Sequence, residues 1–152
     1  VLAGGILSRW CELESVCNLG ATPNFNAAYS NLDQKVTRTT DLPSLGKRPP
    51  QAPDNLFSLG AEYTVPGGVL TGFGLGAGMR YVGSRAGDSA NTIEVPSYTL
   101  FDASVRYLWR NVEFQLSGTN LANKTYVAVC TCASYCNYGT VRKIIATTRL
   151  HL

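Results

Sequence analysis

Hydrophobic and polar residues alternate along five stretches of this chain. Reading every second position in these stretches collects twenty-four residues, none of them charged. They are Phe57, Leu59, Ala61, Tyr63 and Val65; Phe73, Leu75, Ala77, Met79 and Tyr81; Phe101, Ala103, Val105, Tyr107 and Trp109; Val112, Phe114, Leu116 and Gly118; and Ile144, Ala146, Thr148, Leu150 and Leu152. The interleaved positions carry Glu62, Arg80, Asp102, Arg106, Glu113, Lys143 and Arg149. A period of two predicts β-strands with one apolar and one polar face.

The alternation and the turn signals between the stretches predict an all-β chain of seven antiparallel strands. The predicted strands cover residues 9–16, 25–36, 56–65, 72–82, 98–109, 112–121 and 141–152, and the first two alternate less regularly. The connections 19–24, 66–69 and 110–111 are short and rich in Gly, Pro or Asn, as hairpin turns are. The connections at about 37–55, 83–97 and 122–140 are long.

Strands of about ten residues with one apolar face, joined alternately by short turns and long loops, are typical of transmembrane β-barrels. In such barrels the long loops are extracellular. A soluble β-sandwich is the alternative, because its strands also alternate. The barrel is favoured by the strand length, by the alternation of short and long connections, and by aromatic residues near strand ends, such as Tyr107 and Trp109. A membrane barrel closes with eight or more strands, so seven strands predict that this chain is part of a larger barrel.

Composition and charge exclude several other classes of protein. The hydrophobic content of 45%, with 15 glycines and 8 tyrosines, suits β-structure, and no apolar run is long enough for a membrane-spanning helix. The apolar residues 1–7 lack the basic leader and cleavage site of a signal peptide. A net charge of +3 from scattered residues argues against a nucleic-acid surface. With His151 as the single histidine and no prominent carboxylate pair, we expect no catalytic site and no enzyme activity.

Four sequence strings, in this order, carry a family resemblance. They are Gly-Lys-Arg-Pro-Pro-Gln-Ala-Pro at 46–53, Gly-Met-Arg-Tyr-Val-Gly at 78–83, Val-Pro-Ser-Tyr-Thr-Leu-Phe-Asp at 95–102 and Asn-Leu-Ala-Asn-Lys-Thr-Tyr at 120–126, with Cys130, Cys136, Tyr138, Gly139 and Arg142 after the last. Their succession resembles the C-terminal part of TonB-dependent outer-membrane receptors. It is most similar to the ferric-hydroxamate (ferrichrome-type) siderophore branch, over about residues 9–152.

The resemblance implies a 22-stranded barrel in the outer membrane of a Gram-negative bacterium, plugged by an N-terminal domain. Such receptors capture a ferric siderophore outside the cell, and TonB then opens the plug. Residues 1–152 would be the last seven strands, a fragment without the plug or the segment that contacts the TonB complex. Its further partners would be outer-membrane lipid and the barrel-assembly machinery. Leu152 stands where the family has an aromatic residue that aids assembly, and Ala122-Asn123 stands where it has Phe-Asp.

The cysteines follow the same resemblance. Similar receptors carry a disulfide with the spacing of Cys130 and Cys136, which would leave Cys132 unpaired; free thiols are the alternative. A metal site would need a fourth ligand, and His151 lies at the opposite barrel end. Cys11 and Cys17 fall on one face of the first strand, the lipid side, and are about 20 Å apart, too far to bridge.

Candidate ligand contacts are aromatic and basic residues of the outer rim. Large ferric siderophores suit aromatic walls with a few hydrogen-bond donors. The candidates are Tyr81, Arg85, Tyr126, Tyr135, Tyr138 and Arg142. The alternative places the tyrosines in an interfacial belt and pairs the arginines with acids such as Asp88 or Glu94. The cargo itself stays open, since cobalamin or a glycan would use similar strands, and a soluble secreted binding module is the alternative outside transport.

The interleaved charges belong to the predicted lumen side of the strands. Arg80, Asp102, Arg106 and Glu113 are expected to pair across strands or to contact the plug. The glycines at 72, 74, 76 and 78 leave one strand bare on that side, where another backbone, such as the plug, would approach closely.

Overall fold

A single antiparallel sheet of seven strands forms the body of the molecule. The computed structural model describes residues 4–20, 22–132 and 135–151, except for the side chains of Thr131 and Cys132. The main sheet consists of β1 Gly5–Asn18, β2 Asn24–Arg38, β3 Asn55–Thr64, β4 Phe73–Val82, β7 Tyr98–Trp109, β8 Val112–Thr119 and β11 Lys143–Leu150. Each strand pairs with the next of these along the chain, so the seven predicted strands and their order are confirmed.

The long loops contain further short elements that the sequence did not predict. These are the 3-10 helix Leu42–Ser44, the paired strands β5 Arg85–Ala86 and β6 Glu94–Val95, and the hairpin β9 Val127–Cys132 with β10 Tyr135–Tyr138. The long loops themselves cover residues 39–54, 83–97 and 120–142, and we call them the first, second and third long loop. No helix among the described residues is long and apolar enough to cross a membrane.

The strand register gathers the uncharged alternate residues on one side of the sheet. Leu59 of β3 lies opposite Met79 of β4, and Met79 lies opposite Phe101 of β7. Because directly opposed residues of antiparallel strands point to the same side, the whole set shares one surface, which we call the apolar face. The other side, with Arg80 and Asp102, is the polar face. Position 152 of the predicted set lies outside the described residues.

The apolar face is uncovered along its length. Leu59, Leu75, Phe101 and Leu116 are 45%, 48%, 47% and 51% exposed. A β-sandwich would bury these side chains under a second sheet, yet within the described parts of the chain no sheet lies over them. A large apolar surface left open in this way marks contact with lipid or with a partner, which favours the barrel over the sandwich.

In β1 and β2 the polarity of the two faces inverts part-way along the strands. Leu13 and Tyr29, directly opposed near the turn, lie on the apolar face. Farther from the turn, opposed Arg9 and Asp33 occupy that same face. There most of the large hydrophobic residues, Trp10 among them, point to the polar face instead, while Leu7, opposite Lys35, stays on the apolar face. The others on the polar face are Ile6, Leu32 and Val36. This inversion explains why the first two strands alternate irregularly in the sequence.

Candidate functional site

The three long loops meet at one end of the sheet and contain the most deeply buried side chains among the described residues. Ala86, Val95 and Cys130 are only 2–3% exposed. The other buried hydrophobic residues of the described part, Val36 and Leu100, lie on β2 and β7 near the same end of the sheet, so the hydrophobic core is at the loop end while most of both sheet faces stays open. This loop cluster is the candidate functional site, because loops held on a rigid scaffold are where binding residues concentrate.

The disulfide between Cys130 and Cys136 joins β9 to β10 in the third long loop, as predicted. The two residues are opposed in the hairpin, with their Cα atoms 4.0 Å apart. The free thiols of Cys11 and Cys17 are exposed on the apolar face, as expected, opposite Asn31 and Phe25. The predicted state of Cys132 concerns a side chain outside the described part. Within that part, no group of three or more His, Cys, Asp or Glu residues is arranged to hold a metal.

Gln51 connects all three long loops. Its side-chain amide donates a hydrogen bond to the backbone carbonyl of Cys130, and the Cys130 N–H donates to Gln51 Oε1 at 3.3 Å. Its own backbone N–H donates to the carbonyl of Ala86 at 2.9 Å. Gln51 thus acts towards β9 as a neighbouring strand would. The disulfide hairpin is held in place by a residue 79 positions earlier in the sequence.

Arg85 holds the second long loop against the third. Its guanidinium is buried, with only 3% of the residue exposed, and Nη2 donates to the carbonyls of Val127 and Ala128 at 2.9 and 2.6 Å. The guanidinium carbon lies 5.9 Å from the ring centroid of Tyr98, within the range of a cation–π contact. The considered pairing of the arginines with Asp88 or Glu94 is therefore wrong for Arg85, whose polar partners are backbone carbonyls.

The second long loop has its own internal bonds. The Ile93 N–H and the Thr92 hydroxyl donate to the carboxylate of Asp88 at 2.9 and 2.8 Å, and these bonds lower the pKa of Asp88 below its usual value. Asn91 exchanges two hydrogen bonds of 2.9 Å with the backbone of Arg48. The second loop is thereby fixed to the first as well as to the third.

Asn120 closes the base of the third long loop. The residue is 3% exposed, and its side chain bonds to the N–H and the carbonyl of Lys124, each at 2.8 Å, and to the carbonyl of Thr140 at 3.1 Å. Nearby, the Tyr126 ring lies 4.2 Å from the ring of Tyr98, centroid to centroid. Both ends of the loop therefore meet at one buried amide.

The six candidate ligand residues fall into different environments. Tyr81 lies on the apolar face, opposite Phe57 and Thr99, as expected of a membrane-interface belt. Arg85 and Tyr126 have structural partners inside the loop cluster. Tyr135 and Tyr138 are 59% and 73% exposed on β10, and Arg142 is exposed at the end of the same loop. The ligand role stays a prediction, and the geometry favours Tyr135, Tyr138 and Arg142.

The four residues predicted to face the lumen all lie on the polar face. Arg80 pairs with Asp102 at 2.9 Å, and Glu113 pairs with Arg149 at 3.1 Å, each across neighbouring strands. Arg106 donates to the hydroxyl of Thr64 at 2.7 Å. All four residues thus have a partner on another strand, which agrees with the expectation that they pair across strands. Contact with a plug stays a prediction.

Sequence reasoning missed the residues that assemble the loop cluster. Gln51, Asn91 and Asn120 were not candidates, because a polar loop residue gives no local sign of a partner far along the chain. In the structure all three have positive φ values, 68°, 56° and 50°, a conformation that asparagine adopts more readily than glutamine. The φ values are visible only once the fold is known, so they gave the sequence analysis no signal.

We expect Gln51→Ala to loosen the disulfide hairpin from the other loops, destabilising this contact by about 1–2 kcal/mol. The reason is that the Cys130 N–H and carbonyl lose their partner while Cys130 stays largely buried. Faster proteolytic cleavage within 120–142 would report the change. Gln51→Glu keeps the acceptor for the Cys130 N–H but turns an acceptor-only, negatively charged oxygen towards the Cys130 carbonyl, so we expect it to loosen the hairpin as well. Equal cleavage in all three proteins would contradict the assigned role of Gln51.

Comparison with known proteins gives one consistent result. The family model for TonB-dependent receptor-like β-barrels matches residues 12–121, more than half of the chain. The ferrichrome outer membrane transporter/phage receptor of Escherichia coli K12 is 39% identical over 97% of this chain and 20% of its own length. The ferrioxamine B receptor of Salmonella typhimurium SL1344 is 37% identical over 93% of this chain and 21% of its own length.

A solved structure agrees with the sequence comparison. The crystal structure of the siderophore receptor PiuA from Acinetobacter baumannii superposes with a TM-score of 0.81 and 30% identity. The match covers 94% of this chain and 22% of PiuA. The chain therefore spans about a fifth of the length of the proteins it matches.

Proposed function

Because this chain belongs to the TonB-dependent receptor β-barrel family, we propose that it supplies the C-terminal seven strands of a receptor for ferric siderophores. The complete receptor would be a barrel of 22 strands in the outer membrane of a Gram-negative bacterium, with a plug domain in its lumen. The apolar face contacts lipid, the polar face lines the lumen, and the three long loops are extracellular.

The observation that carries this proposal is the open apolar face, uncharged across β3, β4, β7, β8 and β11, together with the loop cluster at one end of the strands. A sheet of this kind fits the wall of an outer-membrane barrel, where lipid covers the apolar side and the lumen lies against the polar side. The short turns lie at the opposite end, as they do at the periplasmic side of outer-membrane barrels. This arrangement supports a receptor whose loop cluster lies outside the cell.

We favour ferric hydroxamate siderophores, the ligands of the ferrichrome-type branch, as the cargo. Two relatives at 39% and 37% identity are named for ferrichrome and ferrioxamine B, and both match over nearly the whole of this chain. Exposed Tyr135, Tyr138 and Arg142 supply the aromatic and hydrogen-bonding surface that a bulky, oxygen-rich ferric siderophore would need. The ferric siderophore is thus a transported substrate, with TonB energising its passage, and we infer a transporter without catalytic activity.

Uptake of radiolabelled iron would test the proposal. The complete receptor containing this chain would be produced in Gram-negative cells that lack their own hydroxamate receptors, with and without TonB. We expect uptake from ferrichrome or ferrioxamine B in the cells with TonB, and none without it. Uptake of cobalamin or a glycan instead, or uptake that does not need TonB, would overturn the proposed function.

A further inference from the structure

Asp102 on the polar face bonds simultaneously to the sheet and to the base of the third long loop. Its Oδ2 accepts a hydrogen bond from Nε of Arg80 on β4 at 2.9 Å, and Nη2 of the same guanidinium forms an ion pair with Oδ2 at 2.9 Å. Its Oδ1 accepts the backbone N–H of Asn120, the first residue after β8, at 2.9 Å. One carboxylate on β7 therefore joins an arginine of the predicted lumen wall to the beginning of the loop.

Asn120 extends this connection to the other end of the loop. Its buried side chain bonds to Lys124 and to Thr140, which lies three residues before β11. Hydrogen bonds shielded from water are strong, and leaving one of their members without a partner is unfavourable. The result is a continuous chain of polar contacts that runs from Arg80 through Asp102 and Asn120 to both roots of the third long loop.

We propose that Asp102 is a positioning residue that couples the lumen wall to the third long loop. The hydrogen bond and the ion pair from Arg80 hold Oδ2 on the β4 side, which leaves Oδ1 directed at the Asn120 N–H. When a group in the lumen draws Arg80 away, the carboxylate is free to turn towards water. The bond to Asn120 then weakens, and the base of the loop that carries the disulfide hairpin and the exposed tyrosines loosens. The functional meaning of this coupling, a loop above the barrel mouth that responds to the lumen, rests on the proposed function.

A second ion pair on the same face provides a matched control. Arg149 and Glu113 also pair across neighbouring strands, at 3.1 Å, with arginine exposure similar to that of Arg80, 61% against 52%. Among the described residues, Glu113 pairs with Arg149, has the imidazole of His151 3.9 Å away, and makes no hydrogen bond to a long loop. The two pairs therefore have the same chemistry and differ in their connection to the loop.

Amide hydrogen exchange in the complete receptor tests the coupling. In Arg80→Gln we expect the amides of Asn120 and Lys124 to exchange about two to five times faster, because the pair that orients Asp102 is half exposed and modest in strength. Asp102→Ala also removes the acceptor of the Asn120 N–H, and there we expect the same amides to exchange about ten times faster. Arg149→Gln should leave both amides unchanged, and Arg80→Lys, which keeps the charge, should fall near the unmodified protein.

Unchanged exchange at these amides in Arg80→Gln would overturn the coupling, even if Asp102→Ala accelerates it, because Asp102 would then hold the loop independently of Arg80. The same acceleration in Arg149→Gln would overturn it as well, because the effect would then be a general loosening of the sheet. The Gly87 amide, bonded to the Ile93 carbonyl in the second long loop at 2.9 Å, serves as an internal reference. Exchange is measured without ligand, so a failure of iron uptake and a failure of the coupling are separate results.

Discussion

Replacing Leu116 by arginine should lower the free energy of unfolding in a bilayer by about 2–4 kcal/mol, the usual penalty for a basic residue near the middle of a lipid-facing strand. Leu116 is half exposed on the apolar face, between Val105 of β7 and Ala146 of β11. Both neighbours are apolar, so nothing beside it offers the guanidinium a partner. The complete receptor, unfolded by urea from lipid vesicles, would give the value.

The control for this substitution is the next residue along the same strand. Ser117→Arg introduces the same side chain on β8, but on the polar face, opposite Ser104. We expect it to change the unfolding free energy by less than about 1 kcal/mol, since the charge stays in contact with water. Equal losses for the two variants would mean that the apolar face does not contact lipid, and the barrel interpretation would fail.

Replacing Asn120 by alanine should destabilise the third long loop by about 2–3 kcal/mol. The change removes three side-chain hydrogen bonds and leaves backbone groups of Lys124 and Thr140 without partners. It also places alanine at a φ of 50°, which asparagine adopts more readily. The rate of proteolytic cleavage within 120–142, compared with that of the whole barrel, measures the loss.

Asn123→Ala separates the bonding of Asn120 from its backbone conformation. Asn123 has the same φ of 50°, but it is exposed and accepts a single hydrogen bond, from the Arg142 N–H at 3.1 Å. Its replacement should therefore accelerate cleavage far less. If the two alanine variants behaved alike, backbone strain would account for the effect and Asn120 would not be the residue that closes the loop.

The strands were predictable because a sheet with two different environments imposes a period of two on the sequence. In β3, β4, β7 and β8 the predicted and observed bounds differ by at most two residues. In β1 the predicted start at residue 9 was four residues late, because the polarity inversion near Trp10 interrupts the period. The alternation therefore predicts the bounds of a strand only where each face of the strand keeps the same polarity along its whole length.

The loop cluster was not predictable in the same way, since its structure depends on contacts between distant segments. The strands β5 and β6 are two residues long, too short to show any period. Gln51 and Cys130 are 79 positions apart, and neither has a local feature that identifies the other. Arg85 was a candidate ligand residue because of its type and position, but burial and backbone carbonyls give it a structural role.

The polarity inversion in β1 and β2 has a consequence for how these strands find their alignment during folding. Strict alternation penalises a slip by one residue, which exchanges the faces, but it tolerates a slip by two. A fixed point of inversion removes that tolerance. Sliding the hairpin by two residues towards its turn would bring Arg9 and Asp33 to the positions of Cys11 and Asn31, and sliding it by four would bring them to the positions of Leu13 and Tyr29, where Phe57 of β3 is the neighbour. The place where the pattern changes therefore specifies one alignment among all the even ones.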